Sequence, residues 1–244
     1  MEPLQSLQKL VVGVSFDIPG VGFHNPSTGA IEGFEPDVVR AVAALESSAL
    51  PPLEFVQAVD QQRIHDLQQG TVDVVVSQLT ITPDREELVD FTIPYWITRE
   101  AILVRKGSGI KCFEDLKGQR IAVTEGSISI RRMTASLPSL PGATLVPTPL
   151  SAGNFEAVIR GDADVASNDM INLTSMLSAA ADREAYEIID IGHHFDPKPF
   201  GMAVAKGRTD LLEPLNAGIQ KLQESSEIQR LLDSAFAGTK ASPA

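Results

Sequence analysis

The chain has 244 residues, 43% of them hydrophobic, and its 32 acidic against 20 basic side chains give a formal charge of -12. That length suits one large domain or two lobes of ~100 to 150 residues, and the charge argues against nucleic acid and anionic membranes, both of which repel an acidic face. A single cysteine, Cys112, excludes an intrachain disulfide and carries no evidence on redox compartment. No apolar run approaches the ~18 residues of a membrane span. The first six residues lack the basic and apolar regions of a signal peptide, which leaves a cytoplasmic protein or a mature, trimmed chain.

Taken in order, residues 10–16 are apolar and β-branched and predict a first strand. Turn-forming residues follow at 17–20 and 24–29. Pro36 with Glu35 and Asp37 opens a helix whose apolar positions Val38, Val39, Val42 and Leu45 have helical spacing. Residues 53–56 predict a strand, and 60–67 a short helix with Asp60 as its cap. The run 74–76 predicts a third, buried strand that stops at Ser77 and Gln78. Thr80 and Thr82 then lead into Pro83, which suits the first helical position, with Thr82 as N-cap. Residues 91–96 are irregular and aromatic, and 101–104 form a strand.

A second series begins with a short helix over 110–116. It continues with strands over 120–123, 143–146, 164–167 and 186–190, interleaved with helices from 126, over 154–160 and over 170–180. A strand over 200–205 and helices over 210–224 and 227–236 close the chain. This alternation predicts an α/β protein with mainly parallel sheets, in two similar lobes.

Ligands in open α/β sheets bind beyond the carboxyl ends of strands. Arg85 stands just past such an end and brings a forked donor matched to a carboxylate. Cys112 has no histidine nearby in sequence and reads as structural. His193, His194 and Asp196 invite a metal. Neighbours on a strand point to opposite faces, however, so the two histidines do not share an ion there, and neither metal nor cofactor is predicted.

Several segments recur in a recognisable order. Gly33-Phe34 with Asp37, the stretch from Asp73 through Thr80-Ile-Thr-Pro-Asp to Arg85, Phe91-Thr-Ile-Pro-Tyr95, Asp115-Leu-Lys-Gly118, Gly126-Ser127 and Gly161-Asp-Ala-Asp164 through Asp169 together resemble solute-binding proteins of the polar amino-acid type. Val165, where alanine is usual, is a mild departure. The resemblance runs over about residues 10–236. It implies a two-lobed, periplasmic-binding-protein-like α/β fold of type II, each lobe a mainly parallel sheet flanked by helices. Lobe 1 would be residues 1–96 plus 197–244 and lobe 2 residues 97–196, closing on a ligand as a hinge.

The resemblance also implies a site in the cleft between the lobes. A buried amino-acid zwitterion needs both charges paired, since either left unpaired costs several kcal/mol. Arg85 would hold the α-carboxylate. Ser127, after Gly126 at a helix start, would add a hydroxyl, an N–H and the positive helix end; as an ordinary reading it caps that helix. Thr80 would bond either end. Asp169, with the carbonyl of Gln78, would take the ammonium, or would cap the helix from Met170. Arg63 matches an arginine of glutamate- or aspartate-binding members, although Ser15 stands where they often carry lysine; otherwise Arg63 is a solvated residue of an exposed helix. Phe16, and less so Phe23 and Trp96, would pack on ligand methylenes.

The implied function is extracytoplasmic binding of a polar amino acid, glutamate or aspartate foremost. The protein would be a monomer, periplasmic or extracellular, serving the membrane permease subunits of an ATP-binding-cassette importer. Two other classes share the fold. One is the sensing domain of a receptor. The other is an enzyme similar to cyclohexadienyl dehydratases, with Glu125 or Glu100 as its acid.

Overall fold

The computed structural model describes residues 4–236; the lobe ends at residues 1 and 244 lie outside them. In chain order the strands and helices are β1 (Leu10–Val14), β2 (Asp17–Ile18), β3 (Gly22–His24), β4 (Ile31–Glu32), α1 (Phe34–Leu45), β5 (Leu53–Gln57), α2 (Arg63–Gln69), β6 (Val74–Val75), α3 (Pro83–Glu86), β7 (Val89–Phe91) and β8 (Trp96–Thr98). There follow β9 (Glu100–Arg105), β10 (Arg120–Thr124), α4 (Ile128–Ser136), β11 (Thr144–Thr148), α5 (Ser151–Arg160), β12 (Val165–Asp169), α6 (Met170–Ala179), β13 (Tyr186–Asp190), β14 (Lys198–Phe200), β15 (Ala203–Ala205), α7 (Thr209–Glu224) and α8 (Glu227–Ala235).

The chain divides into two compact units. Among the described residues, unit 1 holds 4–16, Gly20–Ile97 and 199–236; unit 2 holds Asp17–Pro19 and Thr98–Lys198. The sheet of unit 1 has the order β5-β1-β6-β15-β7. β1 is parallel to β5 and β6, with Val12 opposite both Phe55 and Val74, and β15 runs antiparallel between β6 and β7. The sheet of unit 2 repeats this as β11-β10-β12-β9-β13, with β10 parallel to β11 and β12 and β9 antiparallel between β12 and β13. In each sheet four strands point one way and one opposes them. This is the α/β class that the strand–helix alternation predicts.

Apolar burial explains which runs became strands. In unit 1 Val75 of β6 and Val89 of β7 pack with Leu67, Val72, Leu79 and Ala203. In unit 2 Ile102 and Val104 of β9, Ile121 and Val123 of β10 and Val165 of β12 form one core with Met133, Leu116 and Ile191. Strands covered on both faces read as continuous apolar runs, as these do.

Several local expectations are corrected. α2 begins at Arg63 with Gln62 at its N-cap, so Asp60 does not cap it; its carboxylate holds Arg63 instead, at 2.9 Å. Leu45, the last residue of α1, is 47% exposed because the helix buries its first turn with Val38, Val39 and Val42. α5 starts at Ser151 rather than 154, and the Asp17 carboxylate accepts from the Ala152 N–H of its first turn at 3.0 Å. Residues 91–96 are not wholly irregular, since they hold the end of β7 and the start of β8. The closing strand is two, β14 and β15, broken at Gly201, where an added Cβ would lie 2.9 Å from Ile81. The helix over 110–116 is a 3-10 turn over Phe113–Leu116.

Candidate functional site

In both units the polar residues of interest stand at the carboxyl ends of parallel strands, where the backbone leaves the sheet and its N–H and C=O groups need other partners. In unit 1, Ser15 follows β1, Arg63 opens the helix after β5, and loop 77–80 follows β6. This loop is buried throughout: Ser77, Gln78, Leu79 and Thr80 are at most 6% exposed.

Two arginines grip the loop from opposite ends. Arg63 Nη1 donates to the carbonyl of Ser77 and to Asp60 at 2.9 Å. Arg85 Nη1 donates to the carbonyl of Thr80 at 2.8 Å. Both guanidiniums are buried, Arg63 at 2% and Arg85 at 4% exposure. The reading of Arg63 as a solvated surface residue is therefore corrected: α2 turns it inward, and Asp60 and a carbonyl replace its water. Its Nε has no hydrogen-bond partner among the described residues, and a buried donor left so costs about 1–3 kcal/mol.

Between the arginines Gln78 adopts φ +45°, a left-handed conformation that disfavours a side chain. Its surroundings hold it there. The backbone N–H of Gln78 donates to Glu35 Oε1 at 2.7 Å, and its side-chain amide donates to Glu35 Oε2. Ser15 Oγ donates to Gln78 Oε1 at 3.1 Å and lies 2.8 Å from Ser77 Oγ. Glu35 also accepts from the Tyr95 hydroxyl at 2.5 Å. Burial pushes its carboxyl up to about 7, against these hydrogen bonds and the charge of Arg63.

The Glu35 backbone is set by its neighbours. Glu35 N–H donates to Val21 carbonyl at 2.9 Å. The preceding Gly33 has φ +121°, and a Cβ there would lie 2.7 Å from that same oxygen, so only glycine fits. Phe16 is half-buried and stacks on His24, with centroids 5.4 Å apart. Phe23 is half-buried too, and Trp96 meets Phe34 edge-on at 5.8 Å.

In unit 2, Gly126 is exposed with φ +75° and turns the chain from β10 toward α4. Ser127 is the N-cap of α4: its hydroxyl accepts from the Ile130 N–H at 3.2 Å and donates to the Thr124 carbonyl at 2.7 Å. Its one hydroxyl proton is thereby used within unit 2. Asp169 ends β12 in the N-cap position of α6 but makes no side-chain cap. Its Oδ1 lies 2.9 Å from the ammonium of Lys198, a residue that the motifs did not signal.

Lys198 is fully buried and has three oxygen neighbours: Asp169, Glu100 at 2.6 Å and Ser129 Oγ at 2.9 Å. Glu100, also fully buried, accepts from Ser167 Oγ at 2.7 Å. Arg132 stands 3.7 Å from Glu100. One ammonium thus serves two buried carboxylates, and the more distant guanidinium completes the balance. No signal at β14 announces this lysine, because it depends on three strands meeting. Glu100 is held here as an ion-paired acceptor. Glu125 is half-buried, with its N–H donating to the Thr148 carbonyl at 2.9 Å.

His193 and His194 lie in a 3-10 turn rather than a strand, and their rings come within 4.1 Å of each other, so the opposite-face argument fails. His194 stacks on Phe113 at 4.5 Å. Among the described residues no group of three or more His, Cys, Asp or Glu side chains gathers as a metal site would require. The Cys112 thiol donates to Asp115 at 3.3 Å, and Glu114, then Asp115, hold it above the ordinary thiol range.

Two α/β units of one strand order, each with buried charged side chains at the carboxyl ends of its parallel strands, fit a solute-binding protein. The chain belongs to the bacterial extracellular solute-binding proteins, family 3, whose model matches residues 10–238. It is 31% identical over 224 residues to the ABC transporter glutamine-binding protein GlnH of Bacillus subtilis (strain 168), covering 91% of this chain and 79% of that one. It is 26% identical to the glutamate-binding protein GluB of Corynebacterium efficiens, over 91% of this chain and 77% of that one. A solved structure of an ancestral arginine-binding protein bound to arginine matches with a TM-score of 0.85 and 28% identity, over 95% of this chain and 99% of that one. Among the described residues no helix is long and apolar enough to cross a membrane.

Proposed function

We propose that this protein binds an α-amino acid outside the cytoplasm, as a monomer, and delivers it to the membrane permease subunits of an ATP-binding-cassette importer. The observation that carries this reading is loop 77–80, whose two ends are each held by a buried arginine. Arg85 is assigned the α-carboxylate, together with Thr80. Its forked donors match two carboxylate oxygens, and a loop already fixed loses little freedom on binding. Asp169 is assigned the ammonium. Lys198 is shared between Asp169 and Glu100, and a carboxylate that shares its cation favours a further one beside it. Ser127, its hydroxyl proton used by the Thr124 carbonyl, is assigned its backbone N–H and the helix end with Gly126, rather than the hydroxyl.

Side-chain choice is assigned to Arg63, with Phe16 on the ligand methylenes. The relatives named above bind glutamine, glutamate and arginine, so membership of the family does not choose among them. We favour glutamate or aspartate, because a guanidinium with an unpaired Nε suits a carboxylate. Asp60 already balances that charge, which makes the preference over glutamine modest. The held, ion-paired state of Glu100 favours binding over acid catalysis, since a general acid must carry a proton to give. Calorimetric titration with a panel of amino acids tests the reading. Micromolar or tighter binding to glutamate or aspartate is expected, and no binding to any amino acid would remove it.

A further inference from the structure

We infer that Glu35, which touches no ligand in the reading above, is the positioning residue that holds loop 77–80 in its binding shape and makes ligand affinity depend on its ionisation. The inference rests on that reading of the loop. Glu35 is the second residue of α1 and is 1% exposed. Three donors converge on its carboxylate: the backbone N–H of Gln78, the side-chain amide of Gln78 and the hydroxyl of Tyr95. Two of them belong to the residue with the left-handed backbone. That conformation lies between the two carbonyls that Arg63 and Arg85 hold, so release of Gln78 would let Ser77 and Thr80 move against their arginines.

The chemistry distinguishes the two states of the carboxyl. Ionised, it is acceptor-only and satisfies all three donors. Protonated, it donates through one oxygen and accepts only as a neutral group, so its hold on the three donors weakens. Tyr95 can rotate to accept the new proton, while the Gln78 N–H is left with an uncharged and weaker acceptor. The groups that face Glu35 are few. Arg63 of α2 favours the ion and is itself partnered by Asp60. Tyr95 and Gln78 approach from their own segments, and Ser15 and Ser77 beyond them carry no charge. Asp37 on the same helix is paired outward with Arg40 at 2.6 Å. Burial places the ionisation near neutral pH, where it divides the protein into a tight-binding and a loose-binding form.

The test is calorimetry from pH 5.5 to pH 8.5 on the wild-type chain, with the amino acid that binds best in a panel at pH 8.5. The wild-type Kd should rise at least fivefold on acidification, with a midpoint near 7. Glu35→Gln should bind at pH 8.5 about as weakly as the wild type does at pH 5.5, and with a flat profile. Glu35→Asp, which keeps the charge, should restore a pH dependence. Should Glu35→Gln not fold, Tyr95→Phe serves: loss of one donor to the ion should move the wild-type midpoint upward. A wild-type Kd that is constant over this range, or the same profile in Glu35→Gln, overturns the inference and leaves the amino-acid reading standing. Failure of every amino acid to bind the wild type overturns the reading, and the inference with it. A residue of merely structural role would lower the melting temperature and leave the shape of the profile alone.

Discussion

The two units share one strand order, yet they finish their third parallel strand in opposite ways. β6 runs out into Ser77 and Gln78, a loop whose carbonyls are held by the cations Arg63 and Arg85. β12 runs out into Asp169, an anion held by Lys198. In unit 1 Arg63 binds the Ser77 carbonyl and the Asp60 carboxylate, and Arg85 binds the Thr80 carbonyl. In unit 2 one lysine is shared by two carboxylates, with Arg132 near the second of them, Glu100. The comparison teaches that one topology can end its third parallel strand either in a loop held by cations or in an anion held by a lysine, and that the holding residues, Arg63, Arg85 and Lys198, lie outside the strand they serve. It also separates two strategies of preorganisation: unit 1 holds a strained backbone, and unit 2 holds a side chain.

The comparison is broken most severely by removing its central charge. Lys198→Met should leave Glu100 and Asp169 buried without their ammonium and cost about 3–5 kcal/mol, read by urea unfolding. Adding Glu100→Gln should recover part of that loss; a Lys198→Met cost below about 1 kcal/mol would contradict the ionic account. On the other side, Arg85→Ala should weaken every amino acid about 100-fold or more, near 3 kcal/mol, while glutamate and glutamine lose alike. Near-normal affinity in calorimetry would dismiss its role.

Stability against pH probes the strained edge. The folded carboxyl of Glu35 is raised to about 7 from its ordinary 4.5. Between those values the folded chain keeps a proton that the unfolded chain has lost, so this group's contribution is full below pH 4.5 and declines as pH rises through 7. The lost part is roughly 3 kcal/mol at about 1.4 kcal/mol per unit. Arg120 holds Asp164, and Arg208 holds Asp210, below their ordinary range. These carboxylates act with the opposite sign, losing stability as pH falls. The difference between wild type and Glu35→Gln is therefore the quantity to measure, and a difference that does not change with pH would refute the assignment. Ionised Glu35 thus gives the tighter loop in the less stable protein.

Smaller effects sharpen the picture. Arg63→Ala should weaken glutamate about tenfold more than glutamine, worth about 1.4 kcal/mol; equal losses would show that Arg63 does not set the choice. Ser127→Ala should remove the α4 cap and cost about 1 kcal/mol of stability. Its ligand affinity should change little, because the hydroxyl proton is already committed to Thr124. A large affinity loss in that variant would return the hydroxyl to the ligand.

By itself the sequence determined the α/β class, the order of strands and most helices, and the family. These follow from local patterns: β-branched runs between turn residues, Pro83 at a first helical position and the motifs that carry the resemblance. The motif through Arg85 also marked the strand end to which the proposal assigns the ligand carboxylate. Tertiary structure alone decided what holds those residues. Arg63 is buried because α2 packs inward, which no helical spacing in a seven-residue segment reveals. Glu35, read only as a first-turn acid, took a buried carboxylate's role because Gln78 and Tyr95, 43 and 60 residues on, aim three donors at it. Lys198 reached Glu100 and Asp169 only once β14, β9 and β12 met. Hydrophobic periodicity is local and survives in one dimension; the pairing of buried charges is set by distances that exist only after the chain has folded.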